Sequence, residues 1–276
     1  MRVPGPSRAC RIGACPLTRK CWSSWTVRCR QPNAIPPDPL SPEEQAALAE
    51  WNLPTFVAML LWYSRGRPDL ALVASVICSH AYRPCPTLLT LLHQVCQYIL
   101  WTLEMGLMYH ADKGPDHIVF YTDSNFPFGR PRISYVAMFK NAAIDWFSSK
   151  SPTVPDSTAS SEIGGAITGA KRAFTREPDF RALHFLKDQT PMDFRQDNQT
   201  ALSQMTGESL CTSVAKHMNQ KTLAMFHVLK EGRINMSYCR TTSMKADGLN
   251  KLLPTEQWCA QRDEWHGMSP RGPPKP

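Results

Sequence analysis

The chain has 276 residues, a hydrophobic fraction of 42% and a charged fraction of 20%. These values lie near globular averages and exclude a wholly disordered, collagenous or fibrous chain. The net charge of +8 points to a nucleic-acid surface only until its distribution is read. Arg2, Arg8, Arg11, Arg19, Lys20, Arg28 and Arg30 put +7 into residues 1–34, which hold no acid, and 8 − 7 leaves +1 for the other 242. Global charge is therefore no evidence for a basic binding face.

The apolar stretch 56–63 is too short to span a bilayer, and 88–109 carries His93, Gln94, Gln97 and Glu104, so no membrane span is expected. No apolar segment follows Met1, which predicts an intracellular chain of the cytoplasm or nucleus, not a secreted one. The ten cysteines include no C-x-x-C pair and do not read as a zinc site; reduced thiols are expected.

In chain order, residues 1–40 are rich in Pro, Arg and Cys without a sustained period and read as a disordered basic head. Ser41-Pro42-Glu43-Glu44 is a helix start with a Ser cap, Pro at the first position and acids in the first turn. Residues 41–65 read as helix broken near Pro54. Arg67-Pro68-Asp69 opens another helix, ended by Pro84 and Pro86, and Leu88, Leu91, Leu92, Val95 and Ile99 form the next apolar stripe.

From His117 the pattern changes. Residues 118–122 read as a strand, 133–140 and 142–149 as two more joined by a hairpin turn at Asn141, and 192–196 and 234–240 as the fourth and fifth. Helices are expected over 159–186, 199–207 and 213–231, the last stopped by Gly232, and a final short one over 245–253. The order β-β-β-α-β-α-α-β-α predicts an α/β fold with a mixed sheet flanked by helices.

Four acids sit where strand ends and helix starts can gather them: Asp123 after the first strand, Glu162 in the first turns of the long helix, Asp197 after the fourth strand, and Asp247 at the start of the last helix. Clustered carboxylates repel unless cations neutralise them, and hard oxygen donors suit magnesium or manganese. A pair of such ions can activate water and stabilise a leaving oxygen on a phosphodiester.

The wording around these acids resembles the ribonuclease H domain of copia-type LTR retrotransposon Pol polyproteins. Tyr121-Thr122-Asp123-Ser124 is similar to its Y-S/T-D-S start. Trp146 to Lys150, Pro152-Thr153-Val154 and Asp156-Ser157-Thr158 resemble its W-S-S-K-x-x-P-T-V-x-x-S-T run, which leads into E-A-E; Glu162 falls at the second Glu. Gln196-Asp197-Asn198-Gln199-Thr200-Ala201 resembles C-D-N-Q-S-A, Lys216-His217-Met218 resembles K-H-I, and Lys245 to Lys251 resembles V-A-D-x-L-T-K. Further back, Arg67-Pro68-Asp69-Leu70-Ala71 and Tyr98 to Tyr109 look like the end of that family's reverse transcriptase.

The resemblance implies a ribonuclease H-like mixed five-stranded sheet over residues 113–258, preceded by a helical reverse-transcriptase remnant over 41–112 and followed by a disordered tail over 259–276. It implies that Asp123, Glu162, Asp197 and Asp247 hold two Mg2+ ions, with Mn2+ as a substitute, and hydrolyse the RNA strand of an RNA–DNA hybrid. It also implies that Asn198, Lys216 and His217 contact nucleic acid. The chain departs from the pattern after Asp123, where Asn125-Phe126-Pro127-Phe128-Gly129 replaces a W-A-G-type turn, and at Ser160, which replaces the first Glu of E-A-E. The polymerase palm and fingers are missing as partners. A catalytically dead module that at most binds nucleic acid is the alternative expectation.

Overall fold

The computed structural model describes residues 41–268 except 83, 85, 126–129, 188 and 208–215. The basic head and the last eight residues lie outside this range. Four helices come first: α1 (Pro42–Trp51), α2 (Leu53–Tyr63), α3 (Ala71–His80) and α4 (Pro86–Trp101). The break between α1 and α2 falls at Asn52, which takes a left-handed φ of 45°, and Pro54 sits in the first turn of α2 rather than ending a helix. Pro68–Leu70 forms a 3-10 turn that feeds α3.

The sheet follows: β1 (Val119–Ser124), β2 (Arg132–Phe139), β3 (Ala142–Lys150), β4 (Met192–Gln196) and β5 (Ile234–Tyr238). Its spatial order is β3-β2-β1-β4-β5. The first three strands are antiparallel neighbours, while β4 runs parallel to β1 and β5 parallel to β4. Lys140 and Asn141, at φ 50° and 60°, make the two-residue turn between β2 and β3, the backbone that a tight hairpin with right-twisted strands requires. The crossovers are α5 (Thr158–Ala182) between β3 and β4, then α6 (Gln199–Thr206) and α7 (Lys216–Lys230) between β4 and β5. This is the expected mixed five-stranded sheet flanked by helices.

Alternation along the strands divides the core. Ile118, Phe120, Tyr135, Ala137 and Phe194 face one side and pack with Ile163, Ala166, Ala170 and Ala173 of α5, Met205 of α6 and Met225 of α7. Val136, Met138 and Ala143 face the other side and meet Ala71 of α3, Met244, Ala246 and Leu249, and Trp265.

Trp265 belongs to α8 (Thr255–Trp265), which corrects the expected disordered tail over 259–265; the rest of that expectation, from 269 on, lies outside the described residues. The expected helix over 245–253 is in turn only a 3-10 turn at Asp247–Leu249. Pro254 is the residue at the N-cap of α8. The helix is fixed by buried Trp258, Arg262, Asp263, Trp265 and His266. Trp258 packs edge-on against Tyr98 of α4 and joins the helical core of Leu53, Leu60, Ile77 and Leu92. His266 reaches Asp69, whose carboxylate accepts from Arg67 Nε and Nη2 at 2.9 and 2.7 Å and from the Tyr98 hydroxyl at 2.6 Å. Arg67 is thus an interior ion-pair partner.

Candidate metal centre

Asp123 lies inside β1, not after it, so its direction is set by the pleat. Thr122 points under α5 and Asp123 to the opposite face. There the segment after β5 waits: Asn250 Nδ2 donates to Asp123 Oδ2 at 2.9 Å, and Lys251 Nζ pairs with the same oxygen at 2.8 Å. Asn125 holds that segment in place, its Nδ2 donating to the Asn250 carbonyl at 2.6 Å while its Oδ1 accepts from the Arg132 amide.

Glu162 arrives from the other face because α5 lies close on β1. Ser161, Gly165 and Gly169 repeat every four residues, one stripe of the helix. A Cβ on Gly169 would fall 2.3 Å from Thr122 Cγ2, so glycine there permits this approach, and one on Gly165 would fall 3.3 Å from Ser124 Cβ, a tight contact that glycine relieves. Glu162 Oε2 then accepts from the Ser124 amide at 3.1 Å and from Gln196 Nε2 at 2.9 Å. Gln196 is itself aimed by the Thr122 hydroxyl, which donates to its Oε1 at 3.1 Å.

Asp197 follows β4 and Asp247 opens the 3-10 turn before Lys251. One carboxylate oxygen each from Asp123, Asp197 and Asp247 lie within 4.8 Å of one another. Glu162 lines an open cleft of about 460 Å³ with Asp123, Asp197 and Lys251. Asn198, Gln199, Thr200 and Tyr238 form its remaining lining. The site sits at the carboxyl ends of parallel β1 and β4, the edge where open α/β sheets gather ligands.

The charges are under strain. Burial, and then the charge of Asp123, push the Glu162 carboxyl up to about 9. The same two causes push Asp247 up to about 7 and raise Asp197. Asp123 goes the other way: burial opposes ionisation, but the Lys251 ammonium and the hydrogen bonds around it hold the carboxylate below its usual range. Asp123 Oδ1 is buried without a hydrogen-bond partner. All-oxygen donors, an orphaned buried carboxylate oxygen and mutual repulsion fit a hard divalent cation.

Of the other sequence candidates, Asn198 lines the cleft, with its Oδ1 committed to the Ala201 amide as the cap of α6. Lys216 and His217 open α7, and their side chains lie outside the described residues. The reading missed Lys251, Asn250 and Gln196. Lys251 was legible as the base four residues after Asp247, whose Oδ1 it meets at 2.9 Å. Gln196 carried a weaker signal, standing where the resembled motif has Cys.

No family model matches the chain, and no curated protein matches it. Among solved structures it is similar to the N-terminal RNase H domain of Rv2228c from Mycobacterium tuberculosis, determined as a fusion with maltose-binding protein, at 16% identity and a TM-score of 0.37 over 52% of this chain and 95% of that one. It is also similar to LC11-RNase H1 in complex with an RNA/DNA hybrid, at 17% identity and a TM-score of 0.37 over 48% of this chain and 93% of that one. The same enzyme, isolated from compost by a metagenomic approach, aligns at 15% identity and a TM-score of 0.34 over 49% of this chain and 94% of that one.

Proposed function

We propose that the chain hydrolyses the RNA strand of RNA–DNA hybrids, with two divalent ions, Mg2+ or Mn2+, held by Asp123, Glu162, Asp197 and Asp247. The observation that carries this reading is the meeting of three aspartates from distant parts of the chain within 4.8 Å at one sheet edge, beside Glu162 and with Asp123 Oδ1 unpaired. Bound ions would supply an activated water and charge stabilisation at the phosphate.

The chain's own residues supply the rest. The strand, the helix stripe and the turn fix the four carboxylates before substrate arrives, which favours catalysis by preorganisation. Asn198, Gln199 and Thr200 offer neutral amide and hydroxyl groups along the cleft for sugar and phosphate, and the 2′-OH separates RNA from DNA in such a site. The motif order supports descent from a copia-type LTR retrotransposon polyprotein. In that reading α1–α4 derive from the end of its reverse transcriptase.

The second reading, a catalytically dead module, has one observation in its favour: the Lys251 ammonium sits on two of the four acids. Incubating the purified full chain with a labelled hybrid and Mg2+ or Mn2+ tests both. Cleavage of the RNA strand that vanishes in Asp123→Asn supports the nuclease; equal signal from wild type and Asp123→Asn supports the dead module.

A further inference from the structure

Lys251 is the cation among the described residues that line the cleft. Its Nζ bridges Asp123 Oδ2 at 2.8 Å and Asp247 Oδ1 at 2.9 Å. The three partners differ in freedom. Asp123 is fixed inside a strand with a side chain 1% exposed, and Asp247 is fixed in a turn. The lysine side chain is 34% exposed and hangs on a flexible four-carbon stem that opens into the cleft. Asn250 and Asn125 anchor the backbone of this segment, so the ammonium can leave the acids without moving the acids themselves.

A divalent ion held by Asp123 and Asp247 would lie close to the ammonium that now contacts Asp123 Oδ2 and Asp247 Oδ1, and like charges at that spacing repel. We propose that Lys251 is a tethered counter-cation of the ion-free site, exchanged off the Asp123–Asp247 pair when a divalent ion binds, so that it sets the ion affinity of the centre. The inference rests on the metal reading of the site. It converts the feature that favours a dead module into a control on loading.

Titrating Mn2+ and Mg2+ calorimetrically into the full-length wild type, Lys251→Met and Lys251→Arg tests it. Lys251→Met is expected to bind ions about tenfold tighter or more, the effect of removing one competing charge at contact distance, while Lys251→Arg stays near wild type. A second readout uses the wild type alone. Reductive methylation of Lys251, followed by mass spectrometry, should be slow in a chelator and faster with Mn2+.

Equal or weaker binding by Lys251→Met, or methylation indifferent to ions, overturns the proposal and leaves the nuclease reading standing. Absence of ion binding in every form overturns both. If Lys251→Met fails to fold without ions, the methylation rates of the wild type decide.

Discussion

Two acids in this molecule are almost equally buried and do opposite things. Asp69 is 3% exposed and Asp123 is 1% exposed. Asp69 has both oxygens satisfied, by Arg67, Tyr98 and His266, and the arginine and histidine hold its carboxylate far below the usual range against the penalty of burial. Asp123 has one oxygen shared between Asn250 and Lys251 and the other unpaired, with three more acids crowded nearby. The first arrangement is finished without any visitor and serves the fold, tying α4 to α8. The second is complete only with added positive charge. Burial alone does not separate a structural acid from a functional one; satisfaction does.

The largest expected effect breaks the finished cluster. Asp69→Ala leaves the Arg67 guanidinium buried without its partner and should lower stability by about 3–5 kcal/mol in urea unfolding followed by circular dichroism. A loss below about 1 kcal/mol, the scale of a surface pair, would contradict the contrast. At the other cluster the loss should appear in chemistry instead. Asp123→Asn should leave the thermal melt near wild type and lower hybrid cleavage by about a hundredfold or more.

The next effect sharpens the comparison through packing. Gly169→Ala forces a methyl against Thr122 Cγ2 and lifts α5 from β1. The expected loss is about 1–3 kcal/mol, offset in part by the roughly 1 kcal/mol that alanine gains over glycine in a helix. Cleavage should fall with it, because Glu162 rides on the same helix.

The smallest effect is in pH dependence, where the clusters have opposite signs. The Asp69 carboxyl is depressed on folding, so its stabilisation is present above the ordinary carboxylate range and is lost as pH falls through and below it. The Glu162 and Asp247 carboxyls are raised, so the folded state binds more protons than the unfolded one, and stability falls as pH climbs from the carboxylate range to about 9 for Glu162 and about 7 for Asp247. Chelator-treated protein should therefore lose melting temperature between pH 5 and 9. Glu162→Gln should lose less, because the amide oxygen still accepts from the Ser124 amide and Gln196. A slope unchanged by Glu162→Gln would remove Glu162 from the strained set.

Much of this was legible in the sequence because its signals are local. The run at 119–122 and the hairpin at Asn141 follow from β-branched and aromatic residues bounded by turn residues, and Asp197 falls directly after β4 as expected. Asp123 slipped inside β1 because pairing of Asp123 with Ser134, and of Ser124 with Ile133, extends the strand past its apolar run. What stayed hidden depends on distant partners. α8 has little apolar periodicity because its buried positions include Arg262, Asp263 and, just beyond it, His266, whose partner Asp69 lies 197 residues away in the chain. The Ser161-Gly165-Gly169 stripe reads as weak helix until Thr122 and Ser124 are seen beneath it.

The central claim is that four carboxylates at the carboxyl edge of β1 and β4 form an ion-binding centre. Anomalous diffraction from a crystal soaked in Mn2+ tests it most directly. The account predicts peaks within coordination distance of Asp123, Asp197 and Asp247, with Glu162 beside them and the Lys251 ammonium displaced. Full density for these side chains with no anomalous peak among them would contradict it.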